Sequence, residues 1–278
     1  ICAVRAGERG WVLVDYGEVA DVVIQSAIDE LVNGGTIFIA QGTYNVTVQI
    51  NVAIDGITIY GEGHGTATPG GVTRLNEVNG SNLVRVIHAT GKDFCLRDLF
   101  IDANRQYNPT GSYALEIDGL DSSVENVGIY HAKTHALHVA GVAGFYKNVF
   151  CEYSGTDEFY VSAGLNVFVD CVVHGTLAGS HGFRVAGDYN SFLGCIVSDS
   201  YGEAFRISGD YNMFHGCILE RIDEHGFHLV GPATGNIIDG CELYNIGIGV
   251  NNTYDGIILE GWDTQYCLRN IMVGNRIW

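Results

Sequence analysis

Positively charged side chains are scarce in this chain of 278 residues. Lysine and arginine together number 14, against 32 aspartates and glutamates, which gives a formal net charge of −18 at pH 7. A nucleic-acid-binding surface needs clustered basic side chains, and an anionic membrane attracts the same side chains. The composition therefore predicts that the chain binds neither nucleic acid nor membrane. The negative charge still allows an acidic polysaccharide as a partner, provided that local arginines or a bound divalent cation make the potential at the binding site positive.

Proline and long apolar runs are also missing. The chain has 3 prolines against 38 glycines, and it contains no apolar run of about 18 residues that would predict a membrane span. Glycine suits the tight corners with positive φ that a coiled sheet must turn in every repeat. Because the chain begins at Ile1 rather than methionine, we interpret it as processed or trimmed, with any signal peptide already removed.

The eight cysteines include no Cys-x-x-Cys pair, which disfavours a cysteine metal site. Four of them recur at intervals of 24, 22 and 24 residues, each five residues after an asparagine. These are Cys171, Cys195, Cys217 and Cys241, after Asn166, Asn190, Asn212 and Asn236. One cysteine per repeat predicts an inward ladder of reduced thiols. Disulfides between neighbours stay open, since adjacent strands lie only about 4.8 Å apart.

Other residues recur with the cysteines and predict structural corners. Tyr189 and Tyr211 stand in repeated Gly-Asp-Tyr-Asn segments, which indicates a stacked corner rather than a sugar platform. The asparagines that follow them predict a hydrogen-bonded ladder at a bend. Asp188 and Asp210 beside them are the candidates for Ca²⁺, a cation that takes carboxylate oxygens. No other cofactor is predicted.

A five-residue pattern with apolar third and fifth positions recurs every 22 to 24 residues, with one longer gap. Its copies are Tyr113-Ala-Leu-Glu-Ile117, His135-Ala-Leu-His-Val139, Asp157-Glu-Phe-Tyr-Val161, His181-Gly-Phe-Arg-Val185, Glu203-Ala-Phe-Arg-Ile207, His225-Gly-Phe-His-Leu229 and Asp255-Gly-Ile-Ile-Leu259. A repeat of this length cannot bury its apolar face alone, so its copies must stack. The alternation predicts strands with Phe183 and Val185 inside and Arg184 outside.

The predicted fold is an all-β, single-domain parallel β-helix of about ten coils over residues 1–278. Residues 1–35 form its N-terminal cap, with Asp21 as the N-cap of a helix that ends at Gly34 and Gly35. Residues 36–278 form the coils. The last segment, 270–278, keeps the coil pattern without a polar cap, so that Trp278 covers the end, the chain continues, or subunits associate there.

Four segments together have the pattern of a known family. They are the helix Ile24-Gln-Ser-Ala-Ile-Asp29, Gly34-Gly-Thr-Ile-Phe-Ile-Ala-Gln-Gly-Thr-Tyr44, Ile57-Thr-Ile-Tyr-Gly-Glu-Gly63 and Phe94-Cys-Leu-Arg-Asp-Leu-Phe-Ile-Asp-Ala-Asn-Arg105. These segments resemble the pectate-lyase-like right-handed parallel β-helix superfamily. The order of the pieces is most similar to the catalytic module of secreted mannuronan epimerases. There a Leu-Asp-Gly-Phe coil precedes an Arg-His-Gly-Phe coil, and here Asp157 precedes His181 in the same places. The family's Tyr-Gly-Phe-Asp-Pro-His motif is replaced by residues 135–140, so its catalytic motif is not retained.

The first and fourth positions of the repeats together form a polar column. The first positions alternate histidine with carboxylate from His135 to Asp255, through Asp157, His181, Glu203 and His225. The fourth positions supply Glu116, His138, Tyr160, Arg184, Arg206 and His228. Strands stacked about 4.8 Å apart would give each imidazole a carboxylate above and below.

This column predicts an extracellular lyase or epimerase that acts on an acidic, uronic-acid polysaccharide. His181 or His138 is the candidate base, with Tyr160 as proton donor and Asp157 orienting His181. Substrate binding is assigned to Arg184, Arg206, Glu203, His225 and His135, with the arginines pairing with substrate carboxylates. The expected location is secreted or on the cell surface.

Three alternatives stay open at this point. Asp157 and Glu203, two coils apart, could serve an inverting glycoside hydrolase. His135, Asp157 and His181 could bind Zn²⁺. Opposite charges also stabilise stacked strands without any ligand, by a few tenths to about 1 kcal/mol per pair. In that case the protein is a non-catalytic scaffold, adhesin or tailspike-like glycan-binding protein.

Overall fold

The computed structural model describes residues 2–5, 11–15, 20–63, 72–111, 113–249, 254–261 and 267–278. They group into two compact units, residues 1–145 and 146–278. Both units consist of coils of a right-handed parallel β-helix, which confirms the predicted fold class. The described residues form about eight turns rather than the ten predicted. No helix among the described residues has the length and apolarity needed to cross a membrane.

Unit 1 holds the only helix found in the described residues. Its elements are β1 (Cys2–Arg5), β2 (Trp11–Asp15), α1 (Ala20–Glu30), β3 (Gly35–Ile39), β4 (Gly42–Val46), β5 (Ile50–Val52), β6 (Ile57–Tyr60), β7 (Thr73–Glu77), β8 (Arg85–Ala89), β9 (Cys95–Asp102), β10 (Tyr113–Ile117), β11 (Ser123–Tyr130) and β12 (His135–Val139). Strands β5, β8, β10 and β12 pair in parallel. The sequence pattern missed the cap strand β1, which pairs antiparallel with β2 and β3.

The predicted capping helix is present, but the role of Asp21 differs from the one expected. The helix begins at Ala20, so Asp21 lies in its first turn. The Asp21 carboxylate accepts hydrogen bonds from Thr47 N–H at 2.6 Å, from the Thr47 hydroxyl at 2.7 Å and from Val48 N–H. Burial raises the pKa of Asp21, but these bonds outweigh it and hold the pKa below its ordinary value. Asp21 therefore ties the helix to the chain after β4.

Unit 2 repeats three strands per coil. Its elements, starting with the strand that crosses the unit boundary, are β13 (Phe145–Glu152), β14 (Asp157–Val161), β15 (Val167–Val169), β16 (Val172–His174), β17 (His181–Val185), β18 (Ser191–Leu193), β19 (Ile196–Ser200), β20 (Phe205–Ile207), β21 (Met213–His215), β22 (Ile218–Ile222), β23 (Phe227–Val230), β24 (Ile237–Asp239), β25 (Glu242–Ile246), β26 (Ile257–Glu260), β27 (Ile271–Val273) and β28 (Arg276–Ile277).

Equivalent strands of successive coils pair in parallel and form three stacks. Stack A comprises β14, β17, β20, β23 and β26. Stack B comprises β15, β18, β21, β24 and β27. Stack C comprises β16, β19, β22, β25 and β28, with β13 beside β16. The coil predicted at the C-terminus is present as β27 and β28, and Trp278 stacks on Tyr244 with ring centroids 5.7 Å apart.

The alternation of stack A buries aromatic rings in register. Phe159, Phe183, Phe205 and Phe227 are all fully buried. Their rings stack with centroid separations of 4.4, 4.7 and 5.0 Å. Arg184, between two inward residues of β17, is exposed as predicted. The inner face of each coil therefore packs against the next coil and also against stack B of the same coil, as in the edge contact of Phe183 with Phe192 at 5.6 Å.

The cysteine ladder is confirmed, and its thiols are free. The four ladder cysteines are fully buried and unbridged. Each lies within 3.5 to 3.8 Å of a backbone carbonyl of the preceding coil, to which its thiol donates. The ladder therefore consists of free thiols that fill small inward positions and have carbonyl partners.

The asparagine ladder and the tyrosine corner are also confirmed. The side-chain oxygen of Asn190 accepts a hydrogen bond from Asn166 N–H at 2.9 Å, and Asn212 accepts from Asn190 N–H at 2.8 Å. The ladder continues with two further bonds of 2.8 Å, in which Asn236 accepts from Asn212 N–H and Asn270 accepts from Asn236 N–H. The rings of Tyr189 and Tyr211 stack 5.0 Å apart. Asp188 and Asp210, the candidates for Ca²⁺, each accept a backbone N–H from the next coil.

Removing one rung of the asparagine ladder should destabilise unit 2. Asn212→Ala leaves the buried Asn190 N–H without its acceptor, which costs about 1–3 kcal/mol. Chemical denaturation measures this change. The exposed neighbour serves as the control, because Met213→Ala should alter the free energy of unfolding by about 0.5 kcal/mol or less. Equal stability of the two variants would contradict a structural role for the ladder.

Candidate functional site

The outer face of stack A in unit 2 carries the polar column. Strand pairing sets Asp157 beside His181 and Tyr160 beside Arg184. The Nδ1 atom of His181 lies 2.5 Å from Oδ1 of Asp157, and its Nε2 atom lies 3.6 Å from Oε2 of Glu203. His181 therefore has a carboxylate on each side, as the alternation predicted. Asp157 is fully buried, whereas the His181 side chain is 17% exposed.

Glu203 connects more groups than the sequence pattern indicated. Its carboxylate lies 3.2 and 3.3 Å from one guanidinium nitrogen of Arg206, and it also contacts Nδ1 of His228. Burial raises the pKa of Glu203, but the hydrogen bond from His228 and the charges of Arg206 and His181 outweigh it, so the pKa lies below its ordinary value. Glu203 is therefore held as a carboxylate beside the Arg206 guanidinium and two imidazole rings.

The alternation of histidine and carboxylate ends at His225. Its Nδ1 atom accepts a hydrogen bond from Asp255 N–H at 2.9 Å, so the backbone rather than the side chain of Asp255 is its partner. Burial and the charge of His228 lower the pKa of His225. The ring is thus neutral, with its proton on Nε2. His228, rather than His225, has a carboxylate partner beyond Glu203. Its Nε2 atom lies 2.9 Å from Oε2 of Glu260.

Two arginines and a tyrosine border the column on the solvent side. The guanidinium of Arg184 lies over the ring of Tyr160, 5.0 Å from its centroid. Arg184 is exposed and the Arg206 side chain is 31% exposed. Arg206 is paired with Arg184 on adjacent strands. Two guanidinium groups in register form a local positive region on an otherwise acidic chain.

In unit 1, His135 and His138 lie in a second polar cluster. Nδ1 of His138 is 2.7 Å from Oε1 of Glu116, and Glu116 also forms an ion pair with Arg85. The ring of Tyr113 stacks on His135 at 5.3 Å and lies 5.2 Å from His138. Burial and the charge of His135 lower the pKa of His138 to about 4. His138 is therefore a neutral imidazole at pH 7.

Some residues of these clusters escaped the sequence analysis. Arg85 and His88 belong to Arg85-Val-Ile-His-Ala89, which has the repeat pattern but lies 28 residues before Tyr113. The irregular spacing hid this copy, although its alternation of apolar residues could have revealed it. Glu260 lies just after the seventh copy, and only its contact with His228 marks it.

Two groups of side chains offer metal-ligand atoms within 4.8 Å of one another among the described residues. One comprises Glu203, His225 and His228, and the other comprises His88, Glu116 and Asp118. Neither is the triplet of His135, Asp157 and His181 expected from the sequence. In the first group Nδ1 of His225 accepts a hydrogen bond from Asp255 N–H, and Nδ1 of His228 contacts the Glu203 carboxylate directly. This group therefore acts as a hydrogen-bonded network in the arrangement observed.

Comparison with solved structures finds the same fold in phage and bacterial proteins. The enzymatically active domain of tailspike protein 2 of bacteriophage CBA120 is 13% identical, with a TM-score of 0.75 over 98% of this chain and 44% of that one. ORF18 of Geobacillus virus E2 is 16% identical, with a TM-score of 0.64 over 91% of this chain and 58% of that one. The A-module of the mannuronan C-5 epimerase AlgE4 of Azotobacter vinelandii is 16% identical, with a TM-score of 0.52 over 96% and 95%.

These likenesses confirm, at the level of fold, the predicted resemblance to pectate-lyase-like right-handed β-helices. The chain spans only about half the length of the two phage proteins. No protein-family model matches the sequence, and no curated protein sequence matches it.

The lowered pKa of His138 predicts a pH-dependent stability. Between the ordinary pKa of 6.5 and the folded value of about 4, the unfolded chain binds more protons, so stability falls as the pH decreases through this window. His138→Gln removes this contribution. Chemical denaturation measures the free energy of unfolding at pH 7 and at pH 5. The decrease between these two pH values should be smaller in the variant than in the parent by about 1–2 kcal/mol. An identical loss in both proteins would contradict the assignment.

Neutralising Glu203 should destabilise unit 2. Glu203→Gln keeps the shape of the side chain but removes the carboxylate that pairs with Arg206 and with Nδ1 of His228, at a cost of about 1–3 kcal/mol. Glu242→Gln is the control, because Glu242 pairs at 3.4 Å with the exposed Arg276 and such surface pairs contribute about 0–1 kcal/mol. Thermal denaturation of both variants measures the difference. If the two melt together, Glu203 does not connect the column.

Proposed function

We propose that this protein binds and modifies a polysaccharide at the polar column of unit 2. The observation that carries the proposal is the contact chain from buried Asp157 through His181 to Glu203. A fully buried carboxylate that orients a half-buried imidazole is costly for stability alone, and it is an arrangement suited to proton transfer. The fold also supports the proposal, since its likenesses include a mannuronan epimerase module and an enzymatically active tailspike domain.

His181 is the proposed base, and Asp157 is a positioning residue. The hydrogen bond to Asp157 places the proton of the neutral ring on Nδ1 and leaves the Nε2 lone pair for the substrate. Because Asp157 is fully buried, its carboxylate acts through His181 and does not touch the glycan. Glu203, 3.6 Å from Nε2, stabilises the imidazolium that forms when the proton is taken.

The proposed substrate is a uronic-acid polysaccharide, because Arg184 and Arg206 can pair with its carboxylates. In the reaction Nε2 of His181 takes the proton from the carbon next to the carboxyl group. The electrons of the broken C–H bond move into an enediolate, whose charge the guanidinium groups stabilise. Glu203 already pairs with Arg206, which leaves Arg184 as the principal carboxylate partner.

Tyr160 is the proposed proton donor of the second step. In elimination, the enediolate expels the glycosidic oxygen, which takes the phenolic proton, and a carbon–carbon double bond remains in the sugar. In epimerisation, the donor returns a proton to the same carbon from the opposite face, and the chain stays intact. The contact between Tyr160 and the Arg184 guanidinium stabilises the phenolate in either case.

A glycan-binding role without catalysis is the second candidate. It is favoured by the mutual pairing within the column, where Glu203 contacts His181, Arg206 and His228. Such a network is complete without a ligand. A hydrolase with Asp157 as acid is less well supported, because that carboxyl group has no exposed surface while both carboxyl groups of a glycosidase must reach the scissile bond.

The remaining residues and the location complete the proposal. His225 is proposed to bind substrate hydroxyls through its Nε2 proton. His135 and His138 of unit 1 are proposed to bind glycan there, and the Tyr113 ring beside them offers a stacking surface. A protein that acts on such polymers works outside the cell, either secreted or at the cell surface.

A turnover screen against alginate, pectate and several neutral glycans, with and without Ca²⁺, tests the proposal. Elimination gives products that absorb ultraviolet light, epimerisation changes the proton NMR spectrum, and hydrolysis creates reducing ends. We expect activity on an acidic polymer that falls about 100-fold or more in His181→Ala and in Asp157→Asn. Absence of turnover with every glycan tested would favour the non-catalytic role.

A second histidine–aspartate pair of unit 2 supplies the matched control. Nδ1 of His215 lies 3.1 Å from Oδ2 of Asp239, with the His215 side chain 59% exposed and outside stack A. His215→Ala should leave turnover unchanged. Loss of activity in this variant as well would show that the effect of His181→Ala is structural.

A further inference from the structure

A cavity of unit 2 lies outside the polar column. It has a volume of about 500 Å³, and its lining includes Tyr153, His174, Asp199, Tyr201 and Arg221. This volume falls within the roughly 300–1,000 Å³ that small-molecule sites occupy. The cavity lies where the strands of stack C end and the chain turns toward stack A. None of its lining residues has a role in the proposed proton transfer.

Four residues at one corner of successive coils build the cavity wall. Strand pairing sets Tyr153, Gly175, Asp199 and Arg221 in register, and their φ angles are 57°, 67°, 54° and 54°. Glycine and asparagine adopt this left-handed conformation readily, whereas tyrosine and arginine do so at greater cost. Tyr153 and Arg221 are exposed, so packing inside the unit does not require their side chains. The same left-handed corner recurs at Asn245 of the next coil, with a φ of 53°. The corner is therefore a regular feature of the coils, and it places the exposed side chains of Tyr153 and Arg221 at the cavity wall.

The aromatic rings of the cavity are held in place. A Cβ atom on Gly175 would lie 2.5 Å from the Tyr153 ring, so the ring rests directly on the glycine backbone. The ring of His174 meets Tyr153 edge to face at 6.4 Å. Tyr201 is 57% exposed, and its N–H donates to the buried Thr176 hydroxyl at 3.1 Å. These contacts fix the Tyr153 ring and the backbone of Tyr201 before any ligand binds, which lowers the entropic cost of binding.

The polar groups of the cavity are fixed as well. Arg221 donates from Nε to Oδ1 of Asp199 at 2.6 Å and from a terminal nitrogen to Oδ2 at 2.7 Å. The hydrogen bond from Arg221 holds the pKa of Asp199 below its ordinary value. Nδ1 of His174 lies 3.3 Å from Oδ2 of Asp199. An oriented carboxylate beside guanidinium and imidazole donors can bind neighbouring hydroxyl groups of a sugar.

We propose that this cavity binds a neutral pyranose residue of a glycan. The apolar C–H face of the sugar stacks on Tyr201 or Tyr153, and its hydroxyls bond to Asp199 and Arg221. The charge of the cavity disfavours an acidic sugar, because Asp223 adds a second carboxylate to the lining and Arg221 also pairs with Glu220. A uronate in this cavity would lie among more negative than positive groups. At the polar column it would instead lie beside the Arg184 guanidinium.

The cavity lies close to the polar column along the chain. Tyr201 and Asp223 each stand two residues before a column residue, Glu203 and His225 respectively. Two residues span at most about 7 Å, so a glycan of a few sugars can reach from one site to the other. The binding proposal itself does not depend on catalysis at the column.

Saturation-transfer NMR with the methyl pyranosides of glucose, galactose and mannose tests the proposal, with galacturonate as the acidic probe. We expect at least one neutral sugar to bind, and Tyr201→Ala to weaken its binding roughly tenfold. Tyr201→Phe keeps the ring and should bind within about twofold of the parent. A thermal melt of each variant establishes that it is folded. Absence of binding by every neutral sugar, or tighter binding of galacturonate, would overturn the proposal.

An equally exposed tyrosine of the same unit provides the control. Tyr189 is 56% exposed and stacks on Tyr211 at another corner. Tyr189→Ala should leave sugar binding unchanged, and an equal loss in that variant would also overturn the proposal. His181→Ala should bind the sugar normally even when turnover is lost, which separates failure of the cavity from failure of the column.

Discussion

The stacking of equivalent side chains on adjacent parallel strands is the interaction on which this structure depends. A single coil has an apolar inner face that it cannot bury alone, so the next coil must stack on it. Phe159, Phe183, Phe205 and Phe227 show the result, since they stack in register with centroids 4.4 to 5.0 Å apart. The asparagine and cysteine ladders repeat the same geometry with hydrogen bonds to neighbouring coils. A change of register in one strand would break all of these contacts together.

The same register sets the chemistry of the outer face. Side chains at equivalent positions are brought within contact distance, so a carboxylate on one coil and an imidazole on the next must interact. Asp157 and His181 do so at 2.5 Å. Burial makes such pairs interact more strongly than exposed pairs do, and both Asp157 and Glu203 are buried. At the corner between stacks C and A, the register of Asp199 and Arg221 builds a rigid polar pair on the cavity wall.

Much of the fold and part of the candidate site could be predicted from the repeats. The inward Phe183, the ladder of Asn190 and Asn212, and the contact between Asp157 and His181 all follow from a fixed spacing and an alternation of two. The partners of Glu203 and His225 could not be predicted this way. Long side chains cross from one position of the repeat to another, so Glu203 contacts Arg206 and His228 in addition to the expected His181.

The sequence by itself determined the stacked parallel strands, the inner ladders and the set of polar residues that face outward. Its periodicity is local, and each repeat must bury the same face in the same way. Only the tertiary structure decided which polar groups meet and how deeply they are buried. The turns between strands vary in length, so they bring Tyr153, Tyr201 and Arg221 together around a cavity that no spacing along the chain encodes. Distances of a few ångströms between side chains on different coils depend on those turns, which is why the sites required the structure.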